Sequence, residues 1–188
     1  MLKTLRKIAS VGLVSEPPPH AGALLRVRDA LDERISSILG RALCIRHVDA
    51  GSCNGCELEI HALNNPLYNL EGLGIRFVAS PRHADLLLVT GPVSANMKTA
   101  LRRTYDAIPN PKLVVAIGDC GCTGGIFGES ATRTGSDRAC LGRVSNVIPV
   151  DVAVPGCPPS PVRILAGILT AIATPRGATS GGQDATAD

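Results

Sequence analysis

At 188 residues, with 45% apolar residues and a net charge of +3, the chain suits one domain with a sizeable core plus terminal extensions. The charge is mild and its basic surplus gathers near the N-terminus, which argues against a nucleic-acid-binding surface and for a solvated face. No stretch approaches ~18 uninterrupted apolar residues, so a membrane-spanning helix is not expected.

Residues 1–14 open with a basic, interrupted apolar run that fits no secretory signal, because "SEPPPHAG" rather than a cleavage-like site follows it. They can form a short amphipathic helix, with Leu2, Leu5 and Ile8 on one side and Lys3, Arg6 and Lys7 elsewhere, suited to a lipid surface or a partner subunit. A frayed basic tail is the plainer alternative. Together with the stiff proline run, these residues make an N-terminal segment and linker over 1–22. Residues 23–39 carry Leu24, Leu31, Ile35 and Ile38 at helical spacing.

From residue 43 the pattern changes to short apolar runs divided by turn residues. "LCIRHVD" (43–49), "GIRFVAS" (74–80), "DLLLVTG" (85–91) and "KLVVAIGD" (112–119) each predict a strand. The last two are continuous apolar runs, as expected of parallel strands buried on both faces. "CELEIHALNN" and "SANMKTALRRTYDAI" (94–108) are helix-length segments between them, and "VIPVDVAVPG" is a further apolar run. "PVRILAGILTAIA" (161–173) predicts a helix that opens on Pro161, a residue suited to the first turn. The alternation implies an α/β fold with an open, mostly parallel sheet over residues 23–174. The tail over 175–188 has little to bury and is expected to be disordered.

Seven cysteines, at 44, 53, 56, 120, 122, 140 and 157, are an odd count without a secretory signal, which favours metal binding over disulfides. Cys53 and Cys56 follow one predicted strand, Cys120 and Cys122 another, and Cys157 follows a third apolar run. Ligands of open α/β sheets bind outside the carboxyl ends of the strands, so three separate loops bring thiols to one edge. Structural zinc usually draws on two local pairs, and there is only one true C-x-x-C here. A redox dithiol would leave Cys120 and Cys157 without a role. A cubane cluster suits thiolates from distant loops, and Gly or Pro beside each thiol lets backbone N–H groups come close to its sulfurs. Cys44 reads as a core residue and Cys140 as part of an exposed polar loop. Spacing alone leaves Cys120 and Cys122 level.

The runs "VDAGSCNGCELEI", "FVASPRHADLLLVTGPV", "GDCGCTGGIFGE" and "IPVDVAVPGCPPSP", in that order across residues 43–173, resemble the small electron-transfer subunit of membrane-bound [NiFe] hydrogenases and formate hydrogenlyases. They are similar also to the homologous 20 kDa iron–sulfur subunit of respiratory complex I. The resemblance implies a flavodoxin-like core holding one [4Fe–4S] cluster through Cys53, Cys56, Cys120 and Cys157, with Cys120 preferred over Cys122 by its G-x-C-G context. It implies a large catalytic subunit beside that cluster, a ferredoxin-like iron–sulfur subunit, and membrane-embedded subunits of the same complex. Neither a twin-arginine leader nor a large second domain is expected, which implies a peripheral place on the cytoplasmic side of the inner membrane. The C-x-x-C first motif favours a hydrogenase-type partner, since complex I subunits typically have adjacent cysteines there. The 129–143 segment is expected to be longer than in the simplest relatives.

Two alternatives stand beside this reading: a subunit passing electrons to quinone or to a nickel-free large subunit, and a zinc-stabilised binding module without redox work. Glu57 and Glu59 suit either proton relay at the partner interface or a solvated helix face. Arg82 and His83 suit either hydrogen bonding toward the cluster or partner or a polar turn before a strand, and His61 reads as structural or interfacial. No nucleophile–base set and no phosphate-binding G-x-x-x-x-G-K-[ST] loop is present.

Overall fold

The fold is that of a computed structural model, which describes residues 40–128 and 139–173 together with isolated positions between 6 and 37. Among the described residues five strands form the sheet: β1 (Leu43–Asp49), β2 (Ile75–Phe77), β3 (Leu86–Thr90), β4 (Leu113–Ile117) and β5 (Val152–Val154). All pair in parallel, in the order β2-β1-β3-β4-β5. This is the flavodoxin-like order, with its switch point between β1 and β3.

Every residue of β3 and β4 is buried, which is why their sequences are unbroken apolar runs. One face of the sheet packs Ile45, Leu86, Leu88, Val115 and Ile117 against α1 (Gly55–Ala62) and α4 (Pro161–Ala173). The other face packs Leu87, Val89, Val114 and Ala116 against α2 (Met97–Ala107), through Leu101, and against the turn at Val144. The predicted β1 and α4 match the observed bounds, whereas β2 is only three residues long.

A short helix not expected from the sequence, α3 (Gly118–Thr123), begins directly where β4 ends. Gly118 makes the switch from strand to helix at a φ of +83°, a conformation open to glycine and costly for other residues. Between residues 22 and 37 the described positions are helical, and Ile35 is buried in the core. The expected 1–14 helix, apart from helical Arg6 and Ser10, lies outside the described residues. The same holds for the proline linker, for residues 129–138 and for the 175–188 tail.

Candidate cluster-binding site

Three connections leave the carboxyl edge of the sheet carrying thiols. At the end of β1 the Asp49 carboxylate Oδ1 accepts hydrogen bonds from the N–H groups of Gly51 (2.8 Å) and Ser52 (2.7 Å). That Asx turn reverses the chain and projects Cys53, and Asn54 then enters α1 in the left-handed region at a φ of 72°. Cys56 sits in the first turn of α1, Cys120 in α3, and Cys157 in the loop between β5 and α4.

The loops meet. A Cβ on Gly55 would lie 3.6 Å from the Cys53 sulfur and 3.9 Å from the ring of Pro158, so Cys53 and the Cys157–Pro158 segment share one space. A Cβ on Gly118 would lie 2.6 Å from the Cys56 sulfur and 3.5 Å from the carbonyl oxygen of Gly156. Cys53 and Cys157 are exposed; Cys56 and Cys120 are half-buried. Burial pushes the Cys56 thiol up to about 12, and the negative charges of Glu57, Cys53, Cys120 and Cys157 add to it. Cys120 is raised for the same reasons, burial first, then Cys157 and Cys53. A positively charged inorganic core would favour the thiolate forms of Cys56 and Cys120 against this upward shift, and its binding would release their protons.

Cys122 is turned away. Its Sγ lies 3.6 Å from the Ala116 carbonyl oxygen, among residues of the α2-side core, and burial raises it to about 11 against a backbone hydrogen bond with Val154. Two residues along a helix turn the side chain by about 200°, so in α3 only one of the pair can face the loops. Cys44 is a core residue, as expected, while Cys140 is half-buried rather than exposed, bridged antiparallel to Ser94. The Cys140 sulfur accepts a hydrogen bond from the Gly142 N–H at 3.3 Å.

The carboxylates part company. Glu57 is buried, and its solvated-face reading is corrected: Ser52 donates its hydroxyl to Oε2 at 2.6 Å and Thr90 donates to Oε1. With the Thr90 proton so used, His47 Nε2, 3.0 Å away, is the donor in its contact with Thr90. His47 also approaches Glu57 at 3.8 Å, but burial lowers its pKa, so at neutral pH the two do not form an ion pair. Glu59 is half-buried with no partner among the described residues, and His61 is exposed on the rim of a 280 Å³ cavity lined also by Arg46, His47 and Glu57.

Arg82 and His83 lie in a turn that enters β3 at its amino end, the opposite edge of the sheet from the thiols. A hydrogen bond from them to the cysteine site is therefore ruled out. They line a separate cavity of 470 Å³ with Arg41, Asp85 and Pro111. Sequence reasoning missed Thr90, Ser52, His47 and Asp119. Thr90 carries a signal in retrospect: it is the one polar residue in the buried β3 run.

Among the described residues, no three His, Cys, Asp or Glu side chains draw close enough to hold a single metal ion. Tetrahedral zinc needs sulfurs about 3.8 Å apart, given its bond lengths of about 2.3 Å. The four thiols come from three separate connections, and Gly118 lacks the Cβ that would crowd the Cys56 sulfur. The donor set fits an iron–sulfur cluster better than mononuclear zinc.

The chain is 45% identical over 149 residues to "Probable membrane-bound hydrogenase subunit mbhJ" of Pyrococcus furiosus, covering 77% of this chain and 84% of the relative. It is 41% identical over 150 residues to "Formate hydrogenlyase subunit 7" of Escherichia coli, covering 76% of this chain but only 56% of that longer protein. It is 40% identical over 152 residues to an NADH-quinone oxidoreductase subunit of Desulfovibrio desulfuricans, covering 80% of this chain and 75% of the relative. Among solved structures it resembles a chain of the membrane-bound sulfane sulfur reductase, an archaeal respiratory membrane complex, with a TM-score of 0.57 and 33% identity over 70% of this chain and 69% of that one. The family described as NADH ubiquinone oxidoreductase, 20 Kd subunit, matches residues 53–171, from the first thiol of the site into α4, and the chain belongs to that family.

Proposed function

We propose that the chain is the electron-transfer subunit of a membrane-associated oxidoreductase complex of the hydrogenase type, holding one [4Fe–4S] cluster through Cys53, Cys56, Cys120 and Cys157. The observation that carries this reading is the meeting of three strand-end loops around these four thiols, with Cys122 turned into the core. When bound, the cluster supplies one-electron transfer; the chain itself contributes no bond-making chemistry. Its residues bind and orient: Asp49 aims the first loop, and Glu57 fastens α1 to β3.

The exposed edge supports a partner at this site. Cys53 and Cys157 are open to the surface, and Ile126, 86% exposed, and Phe127, 41% exposed, follow Cys120 in the turn after α3. Exposed apolar residues beside exposed thiols suit a covering large catalytic subunit. A ferredoxin-like subunit and membrane-embedded subunits complete the proposed complex, on the cytoplasmic side of the membrane. No helix among the described residues is long and apolar enough to cross a bilayer.

A second reading keeps the cluster but gives it a quinone-reducing or nickel-free partner, and the 40% identity to an NADH-quinone oxidoreductase subunit favours it. The C-x-x-C of Cys53 and Cys56 and the higher identity to the hydrogenase subunit favour the first. Two C-x-x-C pairs in the large subunit's sequence would decide for hydrogenase; their absence would decide for the rival. The cluster itself is tested by iron and sulfide analysis and paramagnetic resonance on the complex purified without oxygen. Cys53→Ala and Cys157→Ala should each lose the reduced-cluster signal. Stoichiometric zinc without iron–sulfur absorbance would overturn both readings in favour of a zinc-stabilised module.

A further inference from the structure

Two ligand-bearing loops, 37 residues apart in sequence, are joined by one acidic residue between them. The parallel ladder of β4 and β5 ends at the pair Ile117–Val154. Two residues further along each strand stand Asp119 and Gly156, immediately before Cys120 and Cys157. The Asp119 backbone N–H donates to the Gly156 carbonyl oxygen at 2.9 Å, and the Gly156 N–H donates to the Asp119 carboxylate Oδ1 at 2.8 Å. Because β4 has already turned into α3 at Gly118, its backbone carbonyls have left the ladder, and a side chain supplies the acceptor that Gly156 needs.

We propose that Asp119 is a positioning residue of the cysteine site, whose paired hydrogen bonds to Gly156 set the distance and orientation of Cys120 relative to Cys157. Both bonds have ordinary hydrogen-bond lengths and together close a ring between Asp119 and Gly156, so the α3 turn and the β5–α4 loop cannot slide along each other without breaking one of them. The close approach also needs glycine at 156: at a φ of +144° a Cβ would lie 2.6 Å from the Cα of Pro159. Asp119 forms no ion pair among the described residues, so the carboxylate is not committed to a competing cation. An acceptor at that atom is the requirement, and the carboxylate charge is not.

The inference rests on the reading of the four cysteines as cluster ligands. Its test uses the full chain purified without oxygen together with its co-purifying subunits, and compares wild type with Asp119→Asn, Asp119→Ala and Asp119→Glu. The readouts are the rate of iron loss to an external chelator and the line shape of the reduced-cluster paramagnetic signal. Asp119→Asn keeps an acceptor oxygen at the same reach and should retain iron as wild type does. Asp119→Ala should lose iron about tenfold faster, the usual scale for removing a residue that orients a ligand. Asp119→Glu, with its carboxylate one methylene too far, should fold and show an altered line shape, and it decides the matter if the alanine chain does not accumulate. Wild-type iron retention and line shape in Asp119→Ala or Asp119→Glu would overturn the proposal, as would Asp119→Asn losing iron as fast as alanine. Failure of the underlying reading looks different: wild type itself would carry no iron, or Cys53→Ala would keep it.

Discussion

Thr90, the last residue of β3, donates its hydroxyl to Oε1 of Glu57 on α1, and both residues are buried. The bond ties the helix that carries Cys56 to the centre of the sheet, next to the switch point where β1 and β3 part. Replacing Thr90 by Val keeps the shape of the side chain and removes one of the two hydroxyl donors to a buried carboxylate. A buried acceptor left short of a partner costs about 1–3 kcal/mol. Thr90→Val should therefore lower the thermal midpoint by several degrees at a fixed scan rate. An unchanged midpoint would mean that water takes over the donor's place.

Gly118→Ala tests the close approach of the start of α3 to Cys56. The substitution forces a side chain into the left-handed region, at about 1–2 kcal/mol. It also sets a methyl 2.6 Å from the Cys56 sulfur, which must move. Loss of stability of that order, together with loss of iron from the complex, is the expected outcome. Retention of iron with only the stability loss would show that the Cys56 side chain can yield by a rotamer change.

Cys120 and Cys122 should behave as opposites although one glycine separates them. Cys122→Ala removes a half-buried sulfur that packs on the α2-side core, and the iron content should stay at the wild-type level with a modest stability cost. Cys120→Ala should lose the cluster. In protein stripped of metal by a chelator, the exposed Cys53 and Cys157 should react first with an alkylating reagent, and Cys44 and Cys122 last. Peptide mapping after timed alkylation gives the order, and early labelling of Cys122 would contradict its direction into the core.

Much of this was legible in residues 43–173 because the strands announce themselves. β3 and β4 are buried on both faces and so are written as unbroken apolar runs, and their carboxyl ends fix where the thiols must gather. α4 is legible from Pro161 onward because its buried residues, among them Ile164, Leu165 and Ile168, keep helical spacing. α3 was hidden because Gly118-Asp119-Cys120-Gly121 has the composition of a turn, and its six residues are too few for any periodicity. Glu57 looked solvated because its donors, Ser52 and Thr90, belong to a nearby loop and to a strand 33 residues away. For Arg82 and His83 the polar turn before a strand is what the structure shows, and the length of β3 sets that turn at the far edge from the thiols.

His47 gives the fold a sensitivity to acid. Burial lowers its pKa; Glu57 and Asp49 oppose the shift, while Arg46 and His61 add to it. In the unfolded chain the same ring titrates near about 6.5. Between the lowered folded value and 6.5 the unfolded chain takes up a proton that the folded chain refuses, so stability falls as pH drops through that window and is complete above it. His47→Gln removes the titrating ring while keeping a donor for Thr90. The wild type should lose more of its thermal midpoint between pH 7.5 and pH 5.5 than His47→Gln, at equal scan rate and salt. Equal losses in the two proteins would place the acid sensitivity elsewhere, and a wild-type midpoint that rises on acidification would reverse the sign of the shift itself.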